Sequence, residues 1–241
     1  MRLVRAELLK IVTAYRTILG ILLAELAVVT LGTIAHVHSG ARDPVLPPRF
    51  AQDLVGIAAT SILFTTLLGV LIATTEYRHG TITLTFLATP VRERVLGAKA
   101  VAAIVAGELL VVPALVIPIV VATIWVGDRP DYHFGGEEWG LVGRLFLTTA
   151  LVSMLGLFIG AALTRQLGAI IVILGWLLFV EPAISALFPG TTDYLIGPAL
   201  GGVLGGDTSA PSFGRSFPVF AAYLVAIGAL AVFLTRRRDI T

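Results

Sequence analysis

Cysteine is absent from all 241 residues, which excludes disulfides, thiolate metal sites and cysteine nucleophiles and leaves the redox compartment unread. Charge is scarce: Asp, Glu, Lys and Arg make up 13% of the chain, against about 25% in a soluble domain. Also missing are the GxxxxGK[ST] phosphate loop, H-E-x-x-H and G-x-S-x-G. The chain is therefore not expected to hydrolyse nucleotide by that route or to be an enzyme, and it has no recognisable catalytic set. Its arginines are scattered between apolar runs and form no single patch, so no nucleic-acid partner is expected.

What is present is apolar. Hydrophobic residues reach 57% and the mean hydropathy is +0.95, which points to an all-α integral membrane protein. Six segments have the ~20 residues needed to cross a hydrocarbon core ~30 Å thick. They lie near 17–37, 54–75, 99–126, 141–163, 168–188 and 217–235, and the third is long enough to tilt or to break at Pro113 or Pro118. Ahead of them, residues 1–16 read as an amphipathic interfacial helix. Val4, Leu8, Ile11, Val12 and Tyr15 fall on one side, with Arg2, Arg5, Thr13 and Arg16 opposite. A signal peptide fits less well, since the following run exceeds the usual ~7–15 residues of an apolar signal region and contains Glu25. There is no internal repeat or low-complexity tract, so residues 1–241 read as a single membrane domain.

The basic residues orient it. Arg2, Arg5, Lys10, Arg16, Arg78, Arg92, Arg94, Lys99, Arg165 and Arg236, Arg237 and Arg238 fall on one side, twelve in all, against Arg42, Arg49, Arg129, Arg144 and Arg215 on the other. The positive-inside rule then makes both termini and the loop at 76–98 cytoplasmic, in a multi-pass protein of the cell membrane. Most acids, including Asp131, Glu137, Glu138 and Asp207, fall outside. The outer connection 189–216 is Gly/Pro-rich yet apolar; it is expected to hold a short re-entrant or surface helix around 194–204, or else a flexible loop.

Three carboxylates sit inside the expected spans: Glu25, Glu108 and Glu181. A charge at bilayer depth costs ~2.5–3.5 kcal/mol on insertion scales. Each should therefore line a substrate path or proton relay, or else hydrogen-bond between helices in protonated form. Glu181 could also lie at the outer end of its span, simply wet. His36 and His38 form an H-x-H with no further ligand nearby, so no metal site is expected. Gly156 and Gly160, with Thr164 extending the small-residue face, suggest close helix packing.

The loop at 76–98 is the one long polar interruption of the first half that carries a basic cluster. Thr89 before Pro90 resembles an N-cap and a first-turn proline, predicting a helix from there into the third span. Residues 80–86 alternate Thr with Ile, Leu and Phe as a strand would, but a lone strand has no partner here, and a short surface helix is the better reading.

The opening RAELLK, the loop E-Y-R-H-G-T followed by L-A-T-P-V-R and A-K, and the last span closing on Arg236, Arg237 and Arg238 together resemble the permease subunits of bacterial ATP-binding-cassette (ABC) exporters with six spans and a separate ATPase. The resemblance implies that residues 1–16 are a connecting elbow and that the loop is a coupling helix seated in the ATPase. Glu76, Tyr77, Arg78, His79, Gly80, Thr81 and Pro90 would lie at or beside that contact, supported by Arg92, Arg94 and Lys99. It further implies ATP and Mg bound by the partner ATPase with no cofactor in this chain, a second permease copy or paralogue, contact with membrane lipid, and outward movement of a hydrophobic or amphipathic molecule such as a drug, lipid or natural product. The alternative is a proton-coupled secondary transporter using Glu25, Glu108 and Glu181; a membrane-embedded enzyme ranks third.

Overall fold

The computed structural model describes residues 2–13, 15–205 and 209–238; the expectations for the side chains of Arg2, Val12, Thr13 and Tyr15, and for Asp207, lie outside the described residues. In chain order the helices are α1 (Arg2–Thr13), α2 (Tyr15–Arg42), α3 (Phe50–Ala58), α4 (Ser61–Arg78), α5 (Ile82–Ala88), α6 (Arg92–Val126), α7 (Gly136–Leu163) and α8 (Gln166–Gly175). A π turn (Trp176–Val180) leads into α9 (Glu181–Leu187). A 3-10 turn (Pro189–Tyr194), α10 (Ile196–Leu204) and α11 (Phe213–Arg237) complete the chain. Among the described residues there is no strand, and six helical stretches are long and apolar enough to cross a membrane: Arg16–Arg42, Phe50–Arg78, Arg92–Val126, Gly136–Leu163, Gln166–Leu187 and Phe213–Arg237.

The spans run longer than their apolar runs because good helix formers continue them outward. Arg92, Glu93 and Arg94 open α6, for example, and all three residues favour helix. The third span does not break at Pro113 or Pro118; α6 passes through both.

The centre of the bundle is where α4, α6, α7 and α11 meet, around Leu68, Ile72, Ala103, Ala106, Leu157 and Ala231. Lipid tails are as apolar as leucine, so helices associate in a membrane by close van der Waals approach, which favours small residues. A Cβ added at Gly69 would collide with the Ser153 carbonyl oxygen, and one at Gly156 with that of Thr66. At Gly160 it would lie 3.0 Å from the Val70 carbonyl oxygen. The α4–α7 contact is thus backbone against backbone. Thr164 does not extend this seam: it ends α7 in the left-handed region, at φ 58°.

Several threonines inside the spans satisfy their hydroxyls on the preceding turn. Thr33 donates to Val29 O, Thr66 to Ile62 O, Thr74 to Val70 O and Thr235 to Ala231 O, all at 2.7–2.8 Å. These four hydroxyls therefore sit in lipid-embedded helices without stranding a donor, whereas the buried Thr148 hydroxyl of α7 has no hydrogen-bond partner among the described residues.

Six crossings bring α1, the α4–α5–α6 connection, the α7–α8 link and the end of α11 to one end of the bundle, called here the terminal end. Arg92 joins two of these pieces, donating to the carbonyl oxygens of Thr235 (2.8 Å) and Arg238 (2.6 Å). Arg238 in turn donates to Ala161 O at 2.7 Å and to Ala162 O. Each arginine satisfies orphan carbonyls at a helix C-terminus, where a positive charge also meets the negative end of the dipole.

Candidate functional site

The strongest polar construction lies at the terminal end and uses four charged residues from three helices. Glu7 and Lys10 are one turn apart on α1, Glu76 is in the last turn of α4, and Lys99 is in the second turn of α6. Lys10 Nζ lies 2.6 Å from Glu7 Oε1 and 2.5 Å from Glu76 Oε1. Lys99 Nζ lies 2.8 Å from Glu7 Oε2 and 3.0 Å from Glu76 Oε2. Each carboxylate thus faces both ammoniums, one per oxygen, and the group is neutral overall. The Lys99–Glu76 approach is an ion pair.

Glu7 is 3% exposed, Lys99 4% and Glu76 7%. Ions so buried lose several kcal/mol of hydration each, which only near-complete pairing offsets. Lys10 is the wetter member. Burial alone would push its ammonium pKa down, but hydrogen bonds and charge from Glu7 and Glu76 outweigh that and hold it above the usual 10.5. Thr85 of α5 joins the edge of the group, its hydroxyl 3.3 Å from Glu76 Oε1 and 3.4 Å from Lys10 Nζ.

Beyond Glu76 the chain turns sharply. Thr81 N–H donates to Glu76 O at 3.0 Å and Gly80 N–H to Tyr77 O at 3.3 Å, the paired bonds of a Schellman motif. Gly80 holds φ +68°, a conformation L side chains resist. The glycine of E-Y-R-H-G-T therefore has a backbone reason. After this turn comes α5, anchored by buried Ile82 and by Phe86, over which Arg92 stacks at 5.2 Å. Its outer side carries Leu84, 67% exposed, and Leu87, 74% exposed.

The expected helix start at Thr89 and Pro90 is corrected. Thr89 is extended (φ −137°, ψ 92°) and α6 begins at Arg92. Proline disfavours helical backbone in the residue before it, so Thr89–Pro90–Val91 becomes a short strut between α5 and α6. Of the other expected loop residues, Tyr77 is half-buried, while Arg78, His79, Gly80, Thr81, Pro90 and Arg94 are exposed. Arg78 reaches Gln166 Oε1 at 3.4 Å. Lys99 is not a loop charge at all, since it points into the ion group.

On the first helix Val4, Leu8 and Ile11 are half-buried and Arg5 is exposed, and the inward side also includes Glu7, which Lys99 neutralises, while the apolar Leu9 is 57% exposed. Sequence reasoning missed Glu7 and Lys10. The available signal was the E-x-x-K spacing in RAELLK, together with a lone lysine already inside the third span.

The three intramembrane acids do not converge on one site. Glu25 on α2 is fully buried with both oxygens unpartnered, and Glu108 on α6 accepts a hydrogen bond from Thr149 at 3.2 Å through one oxygen only. Glu181 is neither wet nor unpaired. Trp176 Nε1–H donates to it at 2.7 Å, and Gly197 N–H lies 3.1 and 3.0 Å from its two oxygens. A carboxylate at the first turn of α10 meets the positive end of that helix, so Glu181 ties the outer helix to the fifth span. Trp176 and Glu181 are five residues apart and share a side because the intervening turn is π rather than α.

Among the described residues no group of three or more His, Asp or Glu is placed to hold a metal. His36 instead stacks on Phe50, with ring centroids 4.5 Å apart, and one ring nitrogen lies 3.1 Å from Phe50 O. No family model matches the chain, and no curated protein matches it in sequence.

Proposed function

We propose that this chain is the membrane-spanning subunit of an ATP-driven exporter of the ABC type, moving a hydrophobic or amphipathic molecule while a separate ATPase hydrolyses ATP. The observation that carries the reading is α5: a short helix with two exposed leucines, preceded by a Schellman turn and joined through Thr85 to the buried ion group. Exposed apolar residues on a rigidly supported tip suit insertion into a partner's cleft. With both ends cytoplasmic, as the basic residues argue, α5 faces the compartment that holds ATP. A second permease copy or paralogue would complete the path.

In this reading α5 receives the ATPase motion, and Glu7, Lys10, Glu76 and Lys99 transmit it to α1, α4 and α6 as one body. The test is co-expression of the tagged chain with candidate ABC ATPases, followed by ATP-driven transport in inverted vesicles. The expected result is copurification of an ATPase, abolished by Leu84→Glu with Leu87→Glu in a chain that still inserts. Transport that follows a proton gradient and needs no ATPase would overturn the reading and favour the proton-coupled alternative, for which the unpartnered, fully buried Glu25 is the supporting observation.

A further inference from the structure

Beside the ion group, between the α1–α2 corner and α4, lies a cleft of about 270 Å³. Its floor is apolar, formed in part by Ile18, Leu68 and Leu71, and Arg16, Thr17 and His79 stand among its lining residues. Arg16 and Thr17 begin the first span and His79 directly follows the second. The polar part of the cleft therefore lies where hydrocarbon gives way to head groups, and the apolar part points along the spans.

The charges are unevenly matched. Glu7 and Glu76, the acids lining the cleft, are each engaged by both Lys10 and Lys99. Arg16 is exposed and makes no ion pair among the described residues. The cleft thus keeps a positive charge that no described residue neutralises, beside an imidazole and a threonine hydroxyl. A volume of about 270 Å³ is roughly twenty times the ~10–15 Å³ that one water needs in such a cavity. That holds a phosphate with its glycerol and first methylenes, but not two complete chains.

We infer that this cleft binds one anionic phospholipid from the same leaflet, its phosphate on Arg16 with Thr17 and His79 beside it, and one acyl chain laid over Ile18, Leu68 and Leu71 between α2 and α4. Arg pairs phosphate through two parallel N–H bonds, a geometry a lone ammonium lacks. The inference rests on the membrane-spanning architecture and not on the exporter reading. It makes the lipid a wedge between the first two spans, next to the ion group.

The experiment is native mass spectrometry of the full chain released from mixed micelles holding equal phosphatidylglycerol and phosphatidylcholine. Retention of a single phosphatidylglycerol over phosphatidylcholine is expected. Arg16→Gln should weaken that retention about fivefold, the factor equivalent to ~1 kcal/mol per basic side chain at a membrane surface. Leu71→Trp should lower retention of both lipids by filling the floor, which a purely ionic contact would not show. Glycerol phosphate and inorganic phosphate serve as further probes; displacement of the lipid by either at millimolar concentration would make this a free-anion site and overturn the lipid assignment. Equal retention of the two lipids by the unaltered chain, a result that depends on no variant folding, would also overturn it.

Discussion

Replacing Lys99 with methionine tests whether the four buried charges act as a unit. Lys99 Nζ stands 2.8 Å from Glu7 and 3.0 Å from Glu76, so each contact has a Coulomb energy of roughly 6 kcal/mol at an effective dielectric of ~20. Most of that is offset by the several kcal/mol of hydration each ion loses. Lys99→Met leaves two buried carboxylates sharing only Lys10, whose side chain is 42% exposed, and the net loss should be about 3–5 kcal/mol. Adding Glu7→Gln returns the remainder to a neutral Lys10–Glu76 pair. The double variant should therefore be no less stable than Lys99→Met alone, a coupling of roughly 2–3 kcal/mol. Unfolding of the purified chain by SDS in mixed micelles, followed by fluorescence of its three tryptophans, measures all the members of the cycle. A Lys99→Met loss below about 1 kcal/mol, or a double variant whose loss equals the sum of the singles, would refute the idea that these charges form one integrated group.

Gly80→Ala forces a Cβ into the left-handed region and should cost about 1–2 kcal/mol, read as a lower SDS midpoint and faster proteolysis at α5; an unchanged midpoint would count against the Schellman turn. Gly156→Val must separate α4 from α7, because its Cβ would collide with the Thr66 carbonyl oxygen, and it should abolish stable insertion, visible as aggregation in size-exclusion chromatography. Glu181→Leu removes the acceptor for Trp176 and Gly197 and should cost about 1–3 kcal/mol, with faster amide hydrogen exchange confined to α10 and unchanged exchange at α5. Outside the spans, the hydrogen bond from Leu46 N–H, with Arg129 nearby, holds the Asp131 pKa below its usual 3.8. Its stabilisation is present above pH ~4 and is lost as pH falls through the lower folded value; Asp131→Asn should remove that acid-dependent step at residues 43–49, as followed by hydrogen exchange.

The six crossings were legible because the length of an apolar run belongs to each segment alone. The turn at Gly80 has a local signature too, a glycine just after a helix, yet by sequence Gly80 counts only as a partner contact. The ion group was not legible. Lys10 meets Glu76 across 66 positions and Lys99 meets Glu7 across 92, and no local pattern states which distant helix will supply a counter-charge. Lys99 counts as one more inner basic residue by sequence, yet in the fold it neutralises α1. Glu181 misled for a different reason: a 3.6-residue period puts it away from Trp176, and the π turn that reunites them leaves no mark in composition.

That π turn sets the rotational phase of the outer fifth span. No residue from Trp176 to Val180 is buried, so neighbouring helices grip this stretch little, while the residue after it is locked to α10. Straightening that turn into a uniform α-helix without removing a residue would turn everything beyond it by about 100°, the rotation per residue of that helix. Glu181 would then swing off Gly197 and present its carboxylate to a different neighbour. The extra residue is in effect an angular offset written into the backbone, and the docking of the outer helix depends on its being kept.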